Sequence, residues 1–125
     1  MSRFTVDVVR EPAYAVFRTN GYINNLGAER IEQEYDRLVE DGCRHFVINF
    51  ADSPIINSMG LAILLGIIEK NLSTRGVIVF CNLTEVNAET MEIMDITQYV
   101  TLAGTEEEAK AFMDQRCVQS TPGSR

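Results

Sequence analysis

Glycine-rich phosphate loops are missing from this chain. Neither GxGxxG nor GxxxxGK followed by Ser or Thr occurs in it, so the backbone cradles of common nucleotide enzymes are not indicated. Histidine is almost absent too, His45 being the only one. It stands at the head of an apolar stretch, with no Ser or Cys nucleophile at a motif position to serve. No carboxylate spacing around it suggests a metal site. A structural role is expected for it, with no cofactor and no catalysis. The three cysteines, Cys43, Cys81 and Cys117, form no CxxC pair and are odd in number, which points to free thiols in a reducing compartment. The longest apolar run, Leu61–Ile68, falls far short of the roughly 20 residues a membrane helix needs. No leader-like stretch precedes Phe4, so a cytoplasmic chain is expected. Cations are outnumbered, 11 Lys and Arg against 18 Asp and Glu, for a net charge of −7. That argues against nucleic acid, where phosphate neutralisation supplies most of the affinity, and against anionic membrane surfaces.

What is present reads as one domain. A chain of 125 residues with 46% hydrophobic content can bury one ordinary core. Phe4, Val6 and Val8 alternate along a first strand, and Tyr14–Phe17 belong to a second, with Glu11-Pro12 breaking between them and Asn20-Gly21 ending the pair. The two are expected to be antiparallel. The period then changes: Ile31, Tyr35, Leu38 and Val39 lie on one helical face, with Gly42 as a stop. "HFVINF" and "VIVFCN" read as strands buried on both faces. Between them lies the helix of "LAILLGIIEK", ended by Gly76. Its residues Leu61, Leu64, Leu65 and Ile68 share an i, i+3, i+4, i+7 face and are predicted to be its most buried. A third helix carries Met91, Ile93 and Met94 on one side, and "VTLAG" is a last short strand. A fourth helix opens with Thr105 and Glu108 at capping-box spacing. Residues 1–116 are taken as the domain and 117–125 as a tail. The β-β-α-β-α-β-α-β-α order predicts a mixed, mostly parallel sheet of four or five strands with about four helices and right-handed crossovers.

One junction stands out. Asn57-Ser58-Met59-Gly60 opens the most hydrophobic segment of the chain. Either Asn57 or Ser58 suits the helix cap, where a side-chain oxygen accepts a hydrogen bond from a free amide of the first turn. A serine at that threshold is either only a cap or a place where something is done to the protein.

The stretch "FVINFADSPIINSMGLAILLGIIEK" resembles the signature of the STAS domain family, as found in bacterial anti-sigma factor antagonists. Phe46–Phe50 match the family's strand, Ile55-Ile56 its apolar pair, and Asn57-Ser58-Met59-Gly60-Leu61 the junction before its apolar helix. The order of the remaining elements agrees along nearly the whole chain. The resemblance implies a STAS-type α/β fold and a non-enzymatic binding switch. In that family the antagonist binds an anti-sigma factor with serine kinase activity and so frees the sigma factor. The kinase phosphorylates the serine that falls at Ser58, and a serine phosphatase reverses it. The expected partner surface comprises Asn57, Ser58, Met59 and Gly60, with help from Met91 and Met94. A second copy of the chain is a further candidate partner. Two positions depart from the family pattern. Asn57 replaces the usual Asp, keeping its size and capping ability while removing a charge beside the serine. Met59 replaces a small or hydroxyl residue with a flexible thioether. The alternative reading is a STAS module that does not switch, a scaffold or subunit in a sensory or lipid-transport complex. A small enzyme or ligand carrier is a third class.

Overall fold

The computed structural model describes residues 3–120, and the backbone alone beyond 116. Strands β1 (Thr5–Arg10), β2 (Ala15–Asn20), β3 (Phe46–Asp52), β4 (Ile78–Cys81) and β5 (Thr101–Ala103) alternate, after the opening hairpin, with helices α1 (Asn25–Glu40), α2 (Ser58–Ser73), α3 (Glu85–Ile93) and α4 (Glu106–Ser120). The five strands lie in sequential order β1-β2-β3-β4-β5. β1 is antiparallel to β2, and the three pairs that follow are parallel. The element order and mixed sheet agree with the sequence reading.

The period of two along the strands sorts side chains into two layers. Ala15, Phe17, Phe46, Ile48, Phe50, Ile78 and Phe80 face a core shared with α1, α2 and α3. Tyr14, Val16, Val47, Val79 and Cys81 face a smaller core closed by Ala109 and Met113 of α4. Crossovers that step in one direction with one hand place α1, α2 and α3 on the same face, leaving the other to α4. The larger core is aromatic at its centre. The Tyr35 and Phe46 rings lie 4.8 Å apart, and Phe50 meets Phe80 edge-on at 5.0 Å, the tilted arrangements that ring quadrupoles favour.

Three local expectations need correction. Within α2 the buried residues are Gly60, Leu64, Ile67, Ile68 and Asn71, whereas Leu61 and Leu65 are only half-buried. The helix is turned so that Asn71 reaches α1, where its Oδ1 accepts the Tyr35 hydroxyl at 2.9 Å. Gly76 does not stop the helix by conformation. Arg75 takes the left-handed position with φ 61°, and Gly76 is required because a Cβ there would run into the Arg44 carbonyl oxygen. Finally, Met91 and Met94 do not form one stripe: Met91 is 1% exposed and Met94 47%. Helix α3 ends at Ile93 and the chain turns through Asp95 at φ 61° into a 3-10 turn, Ile96–Gln98. Ile93, inside α3, is 76% exposed as well, so of the three residues expected on one side only Met91 faces the core.

The division placed at residue 116 falls inside α4, whose backbone runs on to Ser120, while residues 121–125 lie outside the described residues. Thr105 caps α4 as expected, its Oγ1 accepting from the Glu108 amide at 3.1 Å. Glu108 returns a carboxylate to the Gly104 amide instead of to Thr105.

Candidate functional site

The loop from β3 to α2 is held against the β2–α1 loop by backbone bonds. The Ile23 amide donates to the Ile55 carbonyl and the Asn57 amide to the Ile23 carbonyl, each at 3.0 Å. These bonds make a one-residue parallel bridge, Ile23 to Ile56, beyond the end of the sheet. They clamp the start of α2 against the β2–α1 loop. Gly60 completes the clamp, since a Cβ there would collide with the Ile23 carbonyl. Gly60 is thus buried and sets the approach of the two loops, while offering no side chain to a partner.

Asn57 is the cap. Its backbone is extended, with φ −87° and ψ 175°, and its Oδ1 accepts the Gly60 amide at 2.8 Å. Because Oδ1 must face that N–H, Nδ2 is the atom turned to Tyr22, donating to its hydroxyl oxygen at 3.0 Å. Ser58 is the first residue of the helix and is exposed. Its hydroxyl has no capping duty. The first turn of any helix has amides without intrahelical partners, and here Gly60 alone is served by the cap side chain.

Around Ser58 the surface is apolar. Met59 is 59% exposed, and Ile55 and Tyr22 are exposed nearby in the clamped loops. Ile56, Leu61, Leu65 and Met94 line a hollow of ≈ 340 Å³ between α2 and α3 that opens at Ser58. This explains the half-exposure of Leu61 and Leu65: they face the hollow. The start of α3 is tied to the same loop through Asn87, whose Nδ2 donates to the Pro54 carbonyl at 3.0 Å. Asn57, Ser58 and Met94 therefore meet at one hollow, Met59 is exposed next to Ser58 in sequence, and Met91 belongs to the core. Tyr22, Ile55 and the two leucines were not read as site residues. Tyr22 carried one signal, an aromatic directly after a turn dipeptide.

The other titratable groups do different work. His45 is half-buried, and its Nδ1 accepts the Val77 amide at 3.0 Å. Desolvation, with help from Arg44 and Arg116, lowers its pKa, so it serves as a neutral structural acceptor. Burial pushes the Cys81 thiol up to about 12, which makes it a poor nucleophile. Among the described residues, no group of three or more His, Cys, Asp or Glu could hold a metal ion. No described helix is long and apolar enough to cross a membrane.

The profile of the STAS domain family matches residues 5–109, from the first strand into α4. The chain is a STAS domain. The "Putative anti-sigma factor antagonist BtrV" of Bordetella bronchiseptica is 29% identical to it over 91 residues, which cover 73% of this chain and 78% of that one. Among solved structures, the anti-sigma factor antagonist SpoIIAA in its unphosphorylated form superposes with a TM-score of 0.71 at 15% identity, over 90% of this chain and 98% of that one. The Bacillus cell fate determinant SpoIIAA in the phosphorylated form gives 0.70 at 19% identity, over 89% and 99%. At these identities the structural likeness speaks for the fold. The STAS profile spans β1 to the start of α4, including the clamped loops that present Ser58.

Proposed function

We propose that this STAS domain is an anti-sigma factor antagonist, binding an anti-sigma factor with serine kinase activity and being switched off by phosphorylation of Ser58. One observation carries the reading. Ser58 stands exposed at the first position of α2 while the neighbouring Asn57 does the capping. A phosphate added at Ser58 would leave the cap bond in place, meet unpaired amides and the positive end of the helix, and bring about −1.5 to −2 charges to a surface otherwise rich in exposed apolar side chains. A partner face built to cover Met59, Ile55 and Met94 would lose contact with a site so charged. The name of the Bordetella relative, and the existence of SpoIIAA in both forms, support the same reading. A serine phosphatase resets the switch, in the cytoplasm where the sigma factor acts.

The test is phosphorylation by the cognate kinase with ATP. One phosphate is expected, at Ser58 by mass spectrometry, and none on Ser58→Ala. Modification of the alanine variant at the wild-type level would refute the assignment. A protein phosphorylated at Ser58 that binds the kinase as tightly as Ser58→Ala would favour a STAS module that does not switch.

A further inference from the structure

Tyr22 also borders a second hollow, of ≈ 760 Å³, lined by Arg3, Phe4, Tyr22, Leu26 and Arg30 among others. Its walls are apolar: Tyr22 is 50% exposed and Leu26 65%. Its charged groups are both cations. Among the described residues neither Arg3 nor Arg30 makes an ion pair, although the chain carries a net charge of −7. Arg44, Arg75 and Arg116 make none either among the described residues; what distinguishes Arg3 and Arg30 is that both line one apolar hollow. A third donor comes from Tyr22. Asn57 Nδ2 donates to its oxygen, so the phenolic proton is left to donate to another group.

We propose that this hollow receives a segment of the anti-sigma factor that bears a carboxylate beside an apolar side chain. The carboxylate is held by Arg3, Arg30 and the Tyr22 hydroxyl, and the apolar neighbour packs on Phe4 and Leu26. The volume exceeds what an inorganic anion fills, and the mixed lining demands an occupant with an apolar body and one anionic end. Guanidinium forks suit a carboxylate. The Asn57–Tyr22 bond makes the hollow continuous with the Ser58 surface, so one partner face reaches both. Asn57 thereby acquires a second role. An Asp at that position would take the Tyr22 proton for itself, and the Asn leaves it for the partner.

The proposal rests on the anti-sigma reading above. Its test is calorimetric titration of the cognate anti-sigma factor into wild type, Arg30→Glu, Arg30→Lys and Tyr22→Phe at low and high salt, each variant first checked by thermal melting. Arg30→Glu is expected to weaken binding by about tenfold or more and to flatten its salt dependence, with Arg30→Lys recovering the salt dependence but only part of the affinity. Tyr22→Phe is expected to cost about three- to tenfold, as loss of a hydrogen bond to a charged group does. Arg30 and Tyr22 are exposed; if Arg30→Glu still fails to fold, Arg30→Gln and Tyr22→Phe carry the same comparison. Binding of the charge-reversed and Tyr22→Phe variants within about twofold of wild type overturns the hollow, while leaving the Ser58 reading intact. Absence of any binding by the unphosphorylated wild type removes the occupant and overturns both.

Discussion

Of two neighbours that both suit a helix cap, Asn57 takes the capping and leaves the Ser58 hydroxyl free of it. Asn57 holds the Gly60 amide and the Tyr22 hydroxyl at once, and Ser58 holds neither. Removing the Ser58 hydroxyl should therefore change stability by less than about 0.5 kcal/mol, like an ordinary surface substitution. Asn57→Ala should cost about 1 kcal/mol for the cap, with little added for Tyr22, whose exposed hydroxyl turns to water. Urea unfolding of the two variants measures this, and a larger loss for Ser58→Ala would reverse the roles. Both residues fit the N-cap preference, so the sequence narrowed the choice to two. What decides is the backbone: Asn57 is extended and Ser58 already helical, a difference of one residue that no propensity resolves. The burial of Met91 and exposure of Met94 escaped for a different reason. Helix α3 has nine residues and buries only Met91 among them, too little to mark a face by its period.

At the scale of the element, α2 and α4 show why some faces are legible and others not. Helix α1 has charges on its outer side, and its buried face, Ile31, Tyr35 and Leu38, follows directly from the period. Helix α2 is apolar nearly all round, so the period marks no single face, and a polar residue at its centre of packing, Asn71, points the wrong way. The true face is Leu64, Ile67, Ile68 and Asn71. Ile67→Ala should accordingly cost about 2–5 kcal/mol. Leu65→Ala, at the wall of an open hollow, should cost clearly less, and chemical denaturation of the pair checks the ranking. Helix α4 is anchored differently. Glu106 at its start accepts from Arg18 Nε and Nη2, at 3.0 and 2.7 Å, and from the Asn49 side-chain Nδ2 at 2.9 Å. Hydrogen bonding from Arg18 outweighs desolvation and holds its pKa down at about 2. A carboxylate depressed in the folded state contributes stability that is complete above its unfolded pKa and disappears as pH falls through the folded one. The window thus runs from about pH 4.5 to 2. With Arg18 half exposed, the contribution is about 1–2 kcal/mol after solvent screening. Glu106→Gln should lose that much at pH 7 and show a shallower acid-unfolding slope over this window. An unchanged slope would mean that the ion pair adds nothing to folding. Thr105 and Glu108 were readable as a cap; the Glu106 cluster was not, because Arg18 and Asn49 come from two distant strands.

For the molecule as a whole, the alternation of strands and helices made the layered architecture legible. The two buried faces of β3 were legible too, because "HFVINF" has no polar alternation to spare. The clamp between the β2–α1 and β3–α2 loops was not, since it is made of backbone bonds and of glycine contacts that leave no pattern. That clamp divides the fold into a packed body and a rim. The body is the sheet with its two cores; the rim carries Tyr22, Ile55, Ser58, Met59 and Met94. A charge added at Ser58 touches only the rim. It meets the favourable end of the α2 dipole, which contributes about 0.3–1 kcal/mol at an exposed site. The switch should therefore work by changing the surface and not by rearranging the fold. Hydrogen exchange of the protein phosphorylated at Ser58, or of Ser58→Asp, should differ from wild type in residues 21–26, 53–60 and the first turn of α3. Protection in β2, β3 and β4 should be unchanged. The melting temperature should rise by a few degrees at most, since about 1 kcal/mol corresponds to roughly 4 °C in a domain of this size. Loss of protection across the central strands, or a fall in melting temperature on phosphorylation, would mean that the phosphate strains the body of the domain, and the rim-only mechanism would have to be abandoned.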